Sequence, residues 1–489
     1  MPIKFSVSSF LPGLALCLSL GAASGSAESA NAQSTQAAQP PQPAQASRGA
    51  APARAASSAA MAAPSATAAT IAPQAAKAEP VVKGYAIPIG GALKADNDEV
   101  WGRIVALAGG KGARFVVFGT ASEDPEASAK QAIEMLHRRG AVAEALPVAP
   151  KFGWVDLNKV VRDQALINKV KAARGVFFTG GSQERIVDVL MPGGHPTPML
   201  EAIWEVYRKG GVVAGTSAGA AIMSTVMFRD APSVINIMKG KWVEGKQIDR
   251  GLGFVGPDLF VDQHFLKRGR FGRMIPLMMA KGYKLGLGVD ENSAAIIHGD
   301  NIEVIGGKGA MLVDLTDVKT DPTLGAFNLT NARLNYLDHG DHYSMKNRVT
   351  TPSAVKLRGD KLDPAAPDYR PYYTEPLFHL DMLGDTTISN SMNYLIDSPL
   401  SEVRGLSFDV GAKPDDPVAD LGFLFRVYKG RGSYGWSTDE NGPEEYTVIN
   451  LYLDITPVRM PQPVYSVWPG AGRAVLAPAA AGELGESSK

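Results

Sequence analysis

From Val81 onward the chain alternates short, continuous apolar runs with stretches in which apolar side chains recur every three or four positions. The apolar runs are Tyr85–Ile89, Phe115–Phe118, Val176–Phe178, Val212–Ala214, Leu259–Val261, Leu287–Val289 and Ala294–Ile297. Helical periods fall at Glu126–Arg139, Asp156–Ala173, Pro198–Arg208 and Arg270–Lys281. Apolar strands with no polar face, separated by amphipathic helices, predict parallel βα units covered on both sides. After Ile302 the helical period fades and β-prone pieces such as Met311–Leu315 and Ala332–Tyr336 follow. Beyond about Asn347, Pro- and Asp-rich stretches (Asp363–Tyr373, Gly411–Val418) separate the β-like runs Leu421–Tyr428 and Tyr446–Ile455. Residues 348–489 therefore read as a β-rich C-terminal extension, with a small, polar and disordered end from about Ala474. No repeat of fixed period is present.

The first eighty residues have a different texture. Lys4 precedes an apolar run from about Phe10 to Ala23 that Pro12 and Gly13 interrupt and that small residues follow. A bilayer-spanning helix needs about twenty apolar residues, so residues 1–27 read as a cleavable signal peptide, with cuts after Ala27 or Ala32. A lipid anchor at Cys17 is disfavoured, because Leu16 occupies a position that wants a small residue. Residues 28–80 consist mainly of Ala, Pro, Gln and Ser, and cannot bury enough surface to offset their ordering entropy; a disordered linker is expected.

The 489 residues hold ample core for more than one folded unit. Lys plus Arg equals Asp plus Glu at 49 each, so no global field attracts nucleic acid or an anionic membrane. The single cysteine, Cys17, lies in the signal segment. The mature chain is expected to be secreted, periplasmic or extracellular, without membrane insertion and without thiol chemistry or disulfides.

The segment Gly215-Thr216-Ser217-Ala218-Gly219 sits where an apolar strand runs into a helix start. G-x-S-x-G in that context is a nucleophile elbow: the glycines permit a tight turn that presents the serine hydroxyl. The pattern alone is weak, since Ser217 could serve only as a helix cap. A serine nucleophile needs a base, and of seven histidines His264 follows the strand Leu259–Val261 directly. Strand ends of open α/β sheets are where sites assemble. Arg268, Arg270 and Arg273 come next and suit an anion-binding wall, because guanidinium forks match carboxylates. A triad also needs a carboxylate to orient the base. Asp290 and Glu291 both follow the strand Leu287–Val289, and spacing leaves either open.

Together with Phe178-Thr179-Gly180-Gly181-Ser182-Gln183, these segments make the stretch from about Val81 to Asn347 resemble cyanophycinase, a serine peptidase family that includes aspartyl dipeptidase E. The string Asp262-Gln263-His264-Phe265 followed by Arg268, Arg270 and Arg273 is far more specific than the elbow. The order Ser–His–Glu also differs from that of α/β-hydrolases. The resemblance implies an α/β fold with a doubly wound, mostly parallel sheet, flavodoxin-like or class I glutamine amidotransferase-like, over residues 81–347. It implies Ser217 as nucleophile, His264 as base and Glu291 as orienting acid, with the amides of Gly181 and Ala218 as oxyanion hole. Gln183, Asp262, Gln263, Arg268, Arg270 and Arg273 would hold the substrate.

The implied substrate and partner is cyanophycin, multi-L-arginyl-poly-L-aspartate, released as β-Asp-Arg dipeptides without cofactor or metal. An aspartyl dipeptidase of the same family and a non-catalytic polymer-binding surface protein are the alternatives, and a homodimer is left open. Ser182 departs from the aspartate common in the family. Asp338-His339-Gly340-Asp341-His342 groups metal-ligand residue types on a glycine turn, and reads as a polar loop because serine chemistry needs no metal.

Overall fold

Large side chains on both faces of the first apolar runs demand cover on both sides, and the chain supplies it. The computed structural model describes residues 84–466 except 414, 441 and 462, so the expected signal peptide, linker and disordered C-terminal end lie outside the described residues. Five parallel strands, β1 (Tyr85–Ile89), β2 (Arg114–Phe118), β3 (Val142–Leu146), β4 (Gly175–Phe178) and β5 (Val212–Thr216), pair in the order β1–β5–β4–β2–β3. Their residues alternate between two core layers: Phe115 and Val117 enter one, Val116 and Phe118 the other. α1 (Asp98–Leu107) and α2 (Pro125–Arg138) fill the first layer with Trp101, Ile104, Met135 and Leu136.

The single helix expected over Asp156–Ala173 is two, α3 (Leu157–Val160) and α4 (Gln164–Ala172). The Asp163 carboxylate accepts from the amides of Ala165 and Leu166, capping a new helix start. α4 packs on the second layer beside α5 (Gln183–Leu190) and α6 (Pro198–Arg208), which contribute Ile186, Leu190, Met199 and Ile203.

After β5 and the one-turn α7 (Ala218–Ala221) come a small hairpin, β6 (Val226–Phe228) and β7 (Ile248–Arg250), with α8 (Val234–Met238) between its strands. Then follow β8 (Leu259–Gln263), α9 (Phe271–Lys281), β9 (Leu285–Val289), β10 (Ser293–His298), β11 (Asn301–Gly306), β12 (Ala310–Asp314), β13 (Leu329–Leu337), β14 (His342–Ser344) and β15 (Val349–Thr351). The remaining elements are β16 (Asp360–Leu362), β17 (Phe378–His379), α10 (Thr387–Ile396), β18 (Glu402–Ser407), β19 (Leu421–Thr438) and β20 (Glu445–Arg459).

Among the described residues these strands form two large sheets. β10, β11, β14 and β15 extend the first sheet on the β1 side, each antiparallel to its neighbour. The second runs β17–β18–β19–β20–β13–β12–β9–β8, with β16 beside β19. Within it only β8–β9 and β17–β18 are parallel pairs. The fold is thus mixed α/β around a parallel core. Residues after 347, read from the sequence as an extension, join both sheets: β15 ends the first and β16–β20 continue the one that holds β8 and β9, and the described residues belong to one compact unit.

Leu259, Val261, Leu285, Leu287 and Val289 turn one face of the second sheet into the core layer beneath the first, while Phe260, Met311 and Val313 meet α9 and α10 on the other. Gly286 and Gly288 stand opposite α9 and Phe265, where a Cβ would lie 2.5 Å from Met278 Sδ and 2.0 Å from the Phe265 ring. No helix among the described residues is long and apolar enough to cross a membrane.

The Asp338–His342 loop is a structural joint. Asp341 is fully buried; it accepts from the amides of Asp338 and Ser353 and from Thr447 Oγ1, and it pairs at 3.1 Å with Lys356, itself fully buried. His339 faces Glu99 at 3.2 Å. The loop thereby pins β20 to the start of β14. Lys356→Met should cost about 3–5 kcal/mol of unfolding free energy, measured by denaturant titration, because it strands a buried carboxylate.

Candidate active site

Five strand ends from the two sheets converge on one point. β5 ends in Ser217, which adopts φ +53°, ψ −108°, a strained conformation at the strand-to-helix elbow. The turn is possible only with its glycines: a Cβ on Gly215 would lie 2.4 Å from the Gly219 carbonyl, and one on Gly219 would lie 2.7 Å from Phe178. The Ser217 amide donates to the Ile89 carbonyl at 3.0 Å, tying the elbow to β1.

β8 ends in His264, also left-handed at φ +48°, whose amide donates to the Gly90 carbonyl at 2.7 Å. Its Nε2 lies 2.9 Å from Ser217 Oγ and its Nδ1 lies 2.7 Å from Glu291 Oε1. The ring therefore donates Nδ1–H to the carboxylate and presents Nε2 to the serine proton. Of the two acids that follow β9, Glu291 alone reaches the imidazole. Asp290 points elsewhere: buried, it accepts the amides of Leu266 and Lys267 at 3.1 and 3.0 Å, and burial pushes its pKa up. Burial also lowers the His264 pKa, with Arg268 and Arg270 acting in the same direction and the Glu291 hydrogen bond opposing them.

Gly90 and Gly91 have no counterpart in the reading from sequence. A Cβ on Gly91 (φ +106°) would sit 2.2 Å from His264 Cε1, and one on Gly90 would sit 2.0 Å from the Asp290 carbonyl oxygen. Paired glycines directly after an apolar strand were the available signal. β4 contributes Gly180 and Gly181. Gly181 has φ +138°, and its Cβ would lie 2.0 Å from the Ala121 carbonyl oxygen. Among the described residues neither the Gly181 nor the Ala218 amide has a backbone acceptor. The Ala218 amide opens α7 directly after Ser217 and Gly181 lies in the neighbouring loop after β4, the placement an oxyanion hole requires. Ser182 is the N-cap of α5 and makes no side-chain cap bond. A cleft of about 250 Å³ opens onto Ser217 and His264, with Leu93, Trp101, Met135 and Phe177 in its walls.

The arginine string divides. Arg273 is only 3% exposed and forks onto the carboxylate of Asp262 at 2.7 and 2.8 Å, with its third nitrogen on the Ala231 carbonyl. Burial alone would push the Asp262 pKa up, but Arg273 and Arg270 hold it below the ordinary carboxylate value. Asp262 and Arg273, expected to touch substrate, are thus spent on each other. The Gln183 amide group donates to the carbonyls of Phe228 and Arg229, fixing the loop after β6. Gln263 is buried, with no partner for its Oε1 among the described residues.

Arg270 Nη1 donates to the Gln263 carbonyl at 2.8 Å and lies 3.6 Å from Asp262. Burial, then repulsion from Arg273, pull its pKa down to about 9, which still leaves it cationic at neutral pH. Arg268 is exposed. Both guanidiniums lie close enough to His264 to disfavour its protonated form.

A serine held at a strained elbow, hydrogen-bonded through a buried histidine to a glutamate, defines a serine-type peptidase. The family model and the curated relatives agree. Residues 89–305 match Peptidase family S51. A cyanophycinase of Nostoc sp. is 32% identical over 303 residues, 58% of this chain and 91% of its own. That of Geminocystis herdmanii is 30% identical over 56% of this chain and 98% of its own. A solved peptidase from an acI-B1 Actinobacterium is 20% identical, with a TM-score of 0.39 over 54% of this chain and 98% of that one. The chain belongs to peptidase family S51.

The two kinds of arginine should separate by measurement. Arg273→Ala strips buried Asp262 of both its short side-chain hydrogen bonds and leaves it only Arg270 at 3.6 Å as counter-charge, which should cost about 3–5 kcal/mol of stability. Arg270→Ala should leave the unfolding transition much closer to wild type, as followed by circular dichroism.

Proposed function

We propose that this chain is an exported serine exopeptidase that hydrolyses cyanophycin, multi-L-arginyl-poly-L-aspartate, to β-Asp-Arg dipeptides. The observation that carries the reading is the Ser217–His264–Glu291 relay, with Arg268 and Arg270 in the turn that follows the base. Relatives that bear the cyanophycinase name support the choice of polymer. Export rests on residues 1–27 alone.

In this reading Ser217 Oγ attacks the backbone carbonyl carbon of the aspartyl residue while its proton passes to His264 Nε2. Glu291 stabilises the imidazolium that forms, and the amides of Gly181 and Ala218 receive the oxyanion. Collapse of the tetrahedral adduct returns the proton from His264 to the leaving amine and leaves an ester on Ser217. Water, deprotonated by His264, then attacks that ester, and His264 returns the proton to Ser217 Oγ as the dipeptide acid leaves. Arg268 and Arg270 bind carboxylate and carbonyl groups of the polymer beside the scissile bond.

Incubation of the purified protein with cyanophycin, with the products identified by mass spectrometry, tests the reading directly. Release of β-Asp-Arg is the expected result. No release from the polymer, alongside rapid cleavage of free aspartyl dipeptides, would overturn it. Ser217→Ala should lower turnover by about four orders of magnitude or more, because triad members act as a unit.

The pH profile supplies a separate check. Only neutral His264 accepts the serine proton, so activity is lost as pH falls through its pKa. Because that pKa is lowered, the acid limb of kcat/KM on a minimal ester should lie below the ordinary imidazole value of about 6.5. Arg268→Ala removes a cation that disfavours imidazolium and should move that limb to higher pH.

A further inference from the structure

The turn that carries Arg268 and Arg270 is gripped from two sides. On its inner side Asp290 accepts the amides of Leu266 and Lys267. Within the turn the amide of Arg268 donates to His264 and that of Arg270 to Phe265. The outer side is covered by residues 381–386, which come from the region after 347. The Thr386 amide donates to the Leu266 carbonyl at 3.0 Å, and Lys267 pairs with Asp385.

Leu383 lies over two glycines of the arginine segment. A Cβ on Gly269 (φ +54°) would be 2.2 Å from the Leu383 carbonyl oxygen, and one on Gly272 would be 2.6 Å from Leu383 Cδ2. At Gly269 the two backbones therefore touch with no side chain between them, and at Gly272 the Leu383 side chain lies against the α9 backbone. The covering segment is itself anchored in the second sheet: Met382 donates its amide to Leu406, and Leu383 donates to Ser407 Oγ, both on β18. Thr386 is left-handed at φ +53° and starts α10. Below the turn, Phe271 of α9 meets Phe425 of β19 edge to face at 5.6 Å between centroids.

We propose that residues 381–386 are a positioning element for substrate binding, holding the Arg268–Arg270 turn in the conformation that grips an anionic, carboxylate-rich chain. The substrate named here rests on the function proposed above; the positioning role does not. Three guanidiniums within six residues repel one another, and Asp262 neutralises them only in part. Without an outer clamp the turn would open toward solvent, and the entropy of re-forming it would be charged against binding. The reacting atoms sit on other strand ends, at Ser217 and Glu291, and His264 is held from Gly90. The clamp therefore acts on capture of a charged substrate, not on acyl transfer to the serine.

The test compares Leu383→Ala and Asp385→Ala, singly and together, with the full-length wild type. Active sites are counted with a fluorophosphonate, so that loss of folded protein does not enter the rates. The double variant should raise KM for cyanophycin about tenfold with kcat nearly unchanged, and should leave kcat/KM on a small uncharged ester within about twofold. Hydrogen exchange at the amides of residues 266–272 should quicken at least tenfold. Equal losses on ester and polymer, or unchanged exchange in those amides, would overturn the proposal. Asp385→Ala alters only an exposed ion pair and carries the same two readouts, with smaller shifts of about two- to threefold, if the Leu383 variants do not fold. If wild type fails to cleave the polymer, the substrate assignment falls, and the exchange rates alone decide the positioning role.

Discussion

The site depends on one close approach: the first sheet's backbone at Gly90 and Gly91 meets the second sheet's backbone and the His264 ring with no room for a side chain. Three amides are fixed there, since Ser217 donates to Ile89, His264 to Gly90 and Asn292 to Gly91. Nucleophile, base and acid arrive on three different strands in two sheets, and each is referenced to the end of β1. The 2.9 and 2.7 Å contacts of the relay follow from that common anchor. Preorganisation of this kind holds the reacting groups in register before substrate arrives.

Electrostatics next to the anchor are balanced by burial. Asp262 and Arg273 are both nearly inaccessible, and each is tolerable in the interior only because the other is present. Arg270, 3.6 Å from Asp262, is neutralised only in part and Arg268 is exposed, so positive charge gathers in the turn that follows His264. The same cations disfavour imidazolium and help to keep the base neutral. The Asp262–Arg273 pair thus ties β8 to α9, while the two remaining guanidiniums of the turn favour the neutral base.

The region after residue 347 belongs to this arrangement through its hydrogen bonds. β19 and β20 continue the sheet that β8 and β9 begin, and buried Lys356 and Asp341 lock that continuation to the β14 end of the first sheet. Its proline- and aspartate-rich texture marked it as separate in sequence because loops between its strands dominate the composition. Pairing between β13 and β20, more than a hundred residues apart, has no local signature. In the same way Leu421–Tyr428 and Tyr446–Ile455 were legible as strands, but their partners were not.

By itself the sequence determined what short-range physics controls. Short apolar runs set between amphipathic helices predicted strands buried on two faces, and those at Tyr85–Ile89, Val176–Phe178 and Val212–Ala214 all lie within strands. G-x-S-x-G after one of them announced the elbow, since only glycines fit that turn. His264 was selected by lying at a strand end, and the Gly180–Gly181 pair by its resemblance to a family motif. Tertiary structure decided what depends on the meeting of distant segments. Asp290 and Glu291 are adjacent in sequence, yet successive residues point in different directions, so one reaches the histidine and the other holds a backbone turn. Arg268, Arg270 and Arg273 share a spacing but not an environment: the fold buries Arg273 against Asp262 and leaves Arg268 in water. A residue type and its spacing state which chemistry is available; burial and partners, set by the fold, decide which copy of that residue is free to perform it.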